Sequence, residues 1–102
     1  MALVVIAHPP SRDAYEKVME KLGNPDDPPA GLIVHTASEF DGRVRVVDVW
    51  ESRQAYEAFE RDRLMPAFAA AGITPEMQAQ ARPEHCETFD ELRGRDTAAT
   101  ST

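Results

Sequence analysis

The sequence predicts an α+β fold with one antiparallel sheet, and three features predict it. Strand-like apolar runs alternate with stretches of helical periodicity. Asp41-Gly42, flanked by two such runs, is a strong two-residue hairpin signal. The element order reads β-α-β-β-α-β within a chain of 102 residues.

Residues 2–8 are apolar, rich in Val and Ile, and bounded by Pro9-Pro10, which marks a buried strand. Ser11 is placed to cap a helix over Arg12 to Leu22, with Gly23 as its stop. Tyr15, Val18, Met19 and Leu22 give that helix an apolar face. Asn24 to Pro29 holds too many prolines to continue a helix or join a central strand, so it reads as a loop. Leu32 to Phe40 and Arg43 to Glu51 form the hairpin.

Ser52 offers a second N-cap, with Arg53 to Glu60 helical and Ala55, Tyr56 and Phe59 inward. The apolar rhythm lapses over Glu60-Arg61-Asp62-Arg63 and resumes at Leu64 and Phe68, so Pro66 is expected to kink the helix there. Gly72 ends it. Thr74-Pro75 starts one short turn, and His85 to Leu92 reads as the last strand. One domain is expected over residues 2–92, with 93–102 a frayed tail.

This order is the split βαβ arrangement of ferredoxin-like proteins, with four strands in one sheet and helices on one face. The other face is left bare, and a bare apolar face must be covered. Two sheets packed face to face would do so, which predicts a homodimer, a dimeric α+β barrel. A domain this small also gains from interface burial.

Composition narrows the function. The net charge of −7 argues against nucleic acid, which needs a basic face, and against anionic membrane surfaces. No apolar run approaches the ~20 residues that span a bilayer. The single cysteine, Cys86, rules out an internal disulfide and suits a reducing compartment, so the cytoplasm is the expected location. Cys86 itself reads as a small buried residue.

The hairpin fixes a register. With Asp41-Gly42 as the turn, Phe40 faces Arg43, His35 faces Asp48 and Ile33 faces Trp50. Leu32, Val34, Val47 and Val49 share an apolar face that suits the helices. Ile33, His35, Ala37, Val44, Val46, Asp48 and Trp50 share the other, expected to line a cavity. Opposed side chains have Cβ atoms ~5 Å apart, close enough for His35 and Asp48 to hydrogen-bond. A carboxylate that fixes the imidazole tautomer leaves the other ring nitrogen as a base. His35 and Asp48 are thus the candidate catalytic pair. Trp50, Ile33, Val46, Tyr15 and Tyr56 are the candidate substrate-binding residues. The competing reading is a polar pair that satisfies only itself, with Trp50, Tyr15 and Tyr56 packing the core.

His8 and His85 stand near strand ends without metal-ligand spacing, so no metal is expected. Arg43, Arg45, Asp26-Asp27, Glu60 and Asp62 read as solvated surface. The sequence has no Gly-rich phosphate loop, no GxSxG and no flavin or nicotinamide fingerprint. No cofactor is expected.

Gly31-Leu32-Ile33-Val34-His35, Val46-Val47-Asp48-Val49-Trp50-Glu51-Ser52 and Arg63-Leu64-Met65-Pro66-Ala67-Phe68 together resemble the antibiotic biosynthesis monooxygenase-like proteins of the dimeric α+β barrel superfamily. The resemblance covers most of residues 2–92, and VVDVWES is its most specific part. It implies a ferredoxin-like protomer, a homodimer, and oxidation of aromatic polyketides of the anthrone type by dioxygen without metal, flavin or haem. The catalytic Trp, Tyr and Asn of the anthrone oxygenases find no matching motif here. Superfamily relatives bind haem, isomerise lactones or dismutate chlorite, so fold by itself does not decide the reaction.

The sequence therefore supports a cofactor-independent oxygenase-like enzyme acting on a small aromatic or polyketide-like substrate by His-mediated proton abstraction. The alternatives are an isomerase or cyclase using the same acid–base pair and a non-catalytic barrel that holds a small apolar or aromatic molecule. Haem binding through His35 or His85 has no positive support in the sequence.

Overall fold

The computed structural model describes residues 2–23 and 26–94. Four strands, β1 (Leu3–Ala7), β2 (Leu32–Phe40), β3 (Arg43–Trp50) and β4 (Glu84–Glu87), form one antiparallel sheet in the order β2-β3-β1-β4. Helix α1 (Arg12–Leu22) joins β1 to β2. Helix α2 (Arg53–Phe59), a π-helical turn (Glu60–Leu64), α3 (Met65–Ala70) and α4 (Pro75–Gln80) join β3 to β4. This is the ferredoxin-like arrangement that the sequence predicts.

The local signals act as expected. Ser11 Oγ accepts from the Ala14 amide and Ser52 Oγ from the Ala55 amide, capping α1 and α2. Thr74 does the same for α4 through Met77. Gly23, at φ 95°, ends α1. Asp41 and Gly42 both take positive φ, 54° and 78°, as a tight hairpin with right-handed strand twist requires. The Asn24–Pro29 loop expectation lies in part outside the described residues, as does most of the expected tail at 93–102.

The expected break before Pro66 takes the form of a π-helical turn over Glu60–Leu64, in which the Met65 amide reaches the Glu60 carbonyl. Pro66 cannot donate and crowds the carbonyl four residues back; a widened turn just before it accommodates both constraints. The final strand stops at Glu87 rather than Leu92. Its last rung to the N-terminal strand is the Thr88 amide on the Ala2 carbonyl, and Phe89 and Leu92 stand exposed beyond it. Cys86 is exposed, not buried.

The helices also cover the opposite sheet face from the one expected. The core is Leu3, Val5, Trp50 and Tyr56, with Leu32, Ala55 and Phe59 packed around it. Trp50 meets Tyr56 edge-on at 5.6 Å between centroids and Phe59 at 5.0 Å. The large indole with Leu3, Val5, Val44 and Val46 buries more area beneath the helices than the Val34, Val47 and Val49 face would. Val34 is 44% exposed. That valine face, with Val4 and Ile6 of β1, is the bare one.

Candidate acid–base site

The β2–β3 register holds as derived from the hairpin between Val34 and Phe40, with His35 opposite Asp48 and Ala37 opposite Val46. A bulge then intervenes at Ile33, and Trp50 pairs with Leu32 instead. The extra residue shifts the side-chain alternation by one, so Leu32 joins the core beside Trp50. Ile33 does not face the indole as expected.

His35 Nδ1 and Asp48 Oδ1 are 2.6 Å apart, and the Asp48 side chain is only 14% exposed. A carboxylate can only accept, so the hydrogen resides on Nδ1. In the neutral ring Nε2 is then the acceptor, and the Tyr15 hydroxyl donates to it at 2.8 Å. The Tyr15 and His35 rings are 7° from parallel with centroids 6.1 Å apart, too far for face-to-face overlap, so the contact runs along the hydrogen bond. Helix α1 brings Tyr15 over the sheet from the residue four beyond its Ser11 cap. The result is a continuous Tyr15–His35–Asp48 chain between helix and sheet.

The electrostatics follow from this chain. The hydrogen bond to Asp48 raises the His35 pKa above its usual value, partly opposed by burial. Burial, then the negative charge of Asp48, raises that of Tyr15. At neutral pH Tyr15 is therefore a phenol, and it donates to Nε2 when the His35 ring is neutral.

The remaining sequence candidates fall elsewhere. Trp50 is 1% exposed and sealed in the core, and its indole N–H has no acceptor among the described residues. Tyr56 is buried, donates to Glu60 Oε2 at 3.1 Å and touches the His85 ring edge-on at 5.1 Å. Burial above all, then Glu60, raises its pKa. Val46 is buried on the same face as Asp48. His8 pairs with Glu84 at 3.2 Å. Among the described residues no group of three or more His, Cys, Asp or Glu is placed to hold a metal. No helix among them is long and apolar enough to cross a membrane.

Two hollows flank these elements. One of about 220 Å³ opens beside the chain, walled by Tyr15, Ala37 and Val44 and rimmed by Arg12, Glu16 and Glu39. The other, about 610 Å³, lies between residues 27–31 and α2 with Asp62 and Arg63 at its edge. None of Tyr15, His35 and Asp48 lines the larger one. Sequence reasoning found His35 and Asp48 through the hairpin but could not foresee that Tyr15 completes them, because its reach depends on how α1 crosses the sheet.

No protein-family model and no curated protein sequence matches the chain. Solved structures do. The structure of Rv0793 from Mycobacterium tuberculosis is similar with a TM-score of 0.66 at 17% identity, covering 91% of this chain and 100% of that one. A protein of Chloroflexus aurantiacus described as a candidate antibiotic biosynthesis monooxygenase gives 0.58 at 16% identity, covering 94% and 98%. SnoaB, a cofactor-independent oxygenase from Streptomyces nogalater, gives 0.51 at 18% identity, covering 89% and 92%.

Proposed function

The chain has the fold of the antibiotic biosynthesis monooxygenase-like proteins, and from that premise we propose a cofactor-independent oxygenase-like enzyme acting on a small aromatic or polyketide-like substrate by proton abstraction. The observation that carries the proposal is the Tyr15–His35–Asp48 chain. Three side chains from two strands and a helix meet at hydrogen-bond distance, beside a hollow, in an order that moves a proton toward an imidazole.

His35 receives the substrate proton, and Asp48 holds the tautomer and stabilises the imidazolium that forms. The carbanion left behind gives its electrons to dioxygen. For a CH₂ carbon, one oxygen atom becomes the new carbonyl and the other leaves as water with the two hydrogens. Trp50, Val46 and Tyr56 act as packing behind this chain, shaping the site. An isomerase or cyclase would use the same proton transfer and return the proton elsewhere on the substrate.

The working form is proposed to be a homodimer in which the bare faces of two sheets cover each other. The proximity of Val4, Ile6, Val34, Val47 and Val49 on one uncovered face supports it.

The test is dioxygen uptake by the purified protein with hydroxylated aromatics of one to three rings, followed by the same assay with His35→Ala. Uptake that falls about 10²-fold or more in the variant is expected for loss of a proton acceptor. Equal uptake by both proteins would remove His35 from the mechanism, and turnover under argon would favour the isomerase.

A further inference from the structure

Resting on the acid–base reading above, we infer that the hollow beside Tyr15 is the binding site for a neutral, weakly acidic one-ring phenol or enol, and that the Tyr15 hydroxyl is the group that touches it. The histidine is one bond further back. Both of its ring nitrogens are engaged, Nδ1 by Asp48 at 2.6 Å and Nε2 by Tyr15 at 2.8 Å. A substrate in the hollow meets Tyr15, which lines it, whereas His35 does not.

Size selects the class. The hollow holds about 220 Å³. A closed apolar cavity of about 150 Å³ admits benzene, while sites for drug-sized ligands run from about 300 Å³ upward. One substituted ring fills it, whereas a three-ring polyketide would extend past its open mouth. Charge selects further. The rim carries the carboxylates of Glu16 and Glu39 against the single guanidinium of Arg12, which already pairs with Glu16 at 3.1 Å. No unpaired cation is left to hold a carboxylate or phosphate, whereas Ala37 and Val44 give a ring an apolar wall.

The step balances as a proton shuttle. The substrate O–H or activated C–H gives its proton to the Tyr15 oxygen as the proton of Tyr15 passes to His35 Nε2. The products are the substrate anion and an imidazolium held by Asp48. Tyr15 begins and ends as a phenol, so the burial that disfavours a tyrosinate does not oppose the transfer.

The probe is 3-nitrophenol, whose anion is yellow, titrated with the full chain at a pH above the His35 titration, where the ring is neutral and the free probe is still mostly protonated. The expected result is saturable binding with a rise in the anion band. Tyr15→Phe should weaken binding about tenfold and remove the band, the cost of one hydrogen bond in a partly dry site. His35→Gln should retain binding and lose the band. Ala37→Leu, which fills the hollow from an exposed strand position, should abolish binding. A Tyr15→Phe protein that binds and ionises the probe like the unaltered protein overturns the role of Tyr15, and leaves His35 as base if His35→Gln still loses the band. A His35→Gln protein that ionises it normally defeats the acid–base reading while leaving the Tyr15 contact standing. Absence of binding by the unaltered protein, unimpaired binding by Ala37→Leu, or equal binding of a three-ring hydroxyanthracene overturns the assigned site and substrate class.

Discussion

His35 and Asp48 stand directly opposite each other on β2 and β3, and their side chains close to 2.6 Å. Because Asp48 is the chief reason that His35 holds its proton more tightly, Asp48→Asn should lower the His35 pKa to or below the ordinary ~6.5, since burial then acts alone. An NMR titration of the imidazole measures this directly. In any assay that requires neutral His35, the acid limb should move down with it. An unchanged titration would mean the pair does not form in solution.

The same pair links stability to pH. The folded protein binds the His35 proton more tightly than the unfolded chain does, so the contribution is full below about pH 6.5 and fades as pH rises through the raised folded value. The thermal stability gap between the natural protein and His35→Gln should therefore be largest at about pH 5–6 and smallest near pH 9. A gap that is flat across this range would contradict the linkage.

Trp50 should dominate the core. It is 1% exposed and in contact with both aromatic rings of the α2 segment. Trp50→Ala is expected to cost about 3–5 kcal/mol in chemical denaturation. Trp50→Phe should cost clearly less, because it keeps a ring and removes an indole N–H that has no acceptor among the described residues. Equal losses would show that the N–H finds a partner in solution.

Gly31 lets the chain enter β2 beneath α2. At φ 85°, a Cβ here would fall 2.5 Å from the Ala55 Cβ. Gly31→Ala should cost about 2–4 kcal/mol from backbone strain and overpacking together. Adding Ala55→Gly should restore only the packing part. Full restoration by the double variant, read by denaturation, would mean that backbone strain contributes nothing.

If the bare face is a dimer interface, the natural protein should sediment as a dimer and Val47→Lys as a monomer, since a lysine on a covered apolar face leaves a buried charge without a partner. A natural protein that is monomeric at micromolar concentration, or a Val47→Lys dimer, would place any association elsewhere.

The sequence alone determined the βαββαβ order, the caps at Ser11 and Ser52, the Asp41-Gly42 turn and the opposition of His35 to Asp48. Each depends on neighbours within a turn, or on a register counted outward from a two-residue loop, and such constraints act over a few residues. Tertiary structure decided the rest. Which sheet face the helices cover turned on the area buried by Trp50, Leu3 and Val5 under Tyr56 and Phe59. The bulge at Ile33 shifted Leu32 into that core. The bond from Tyr15 to His35 exists because α1 crosses the sheet where it does. Those outcomes depend on contacts between residues far apart in the chain, whose geometry no local pattern encodes.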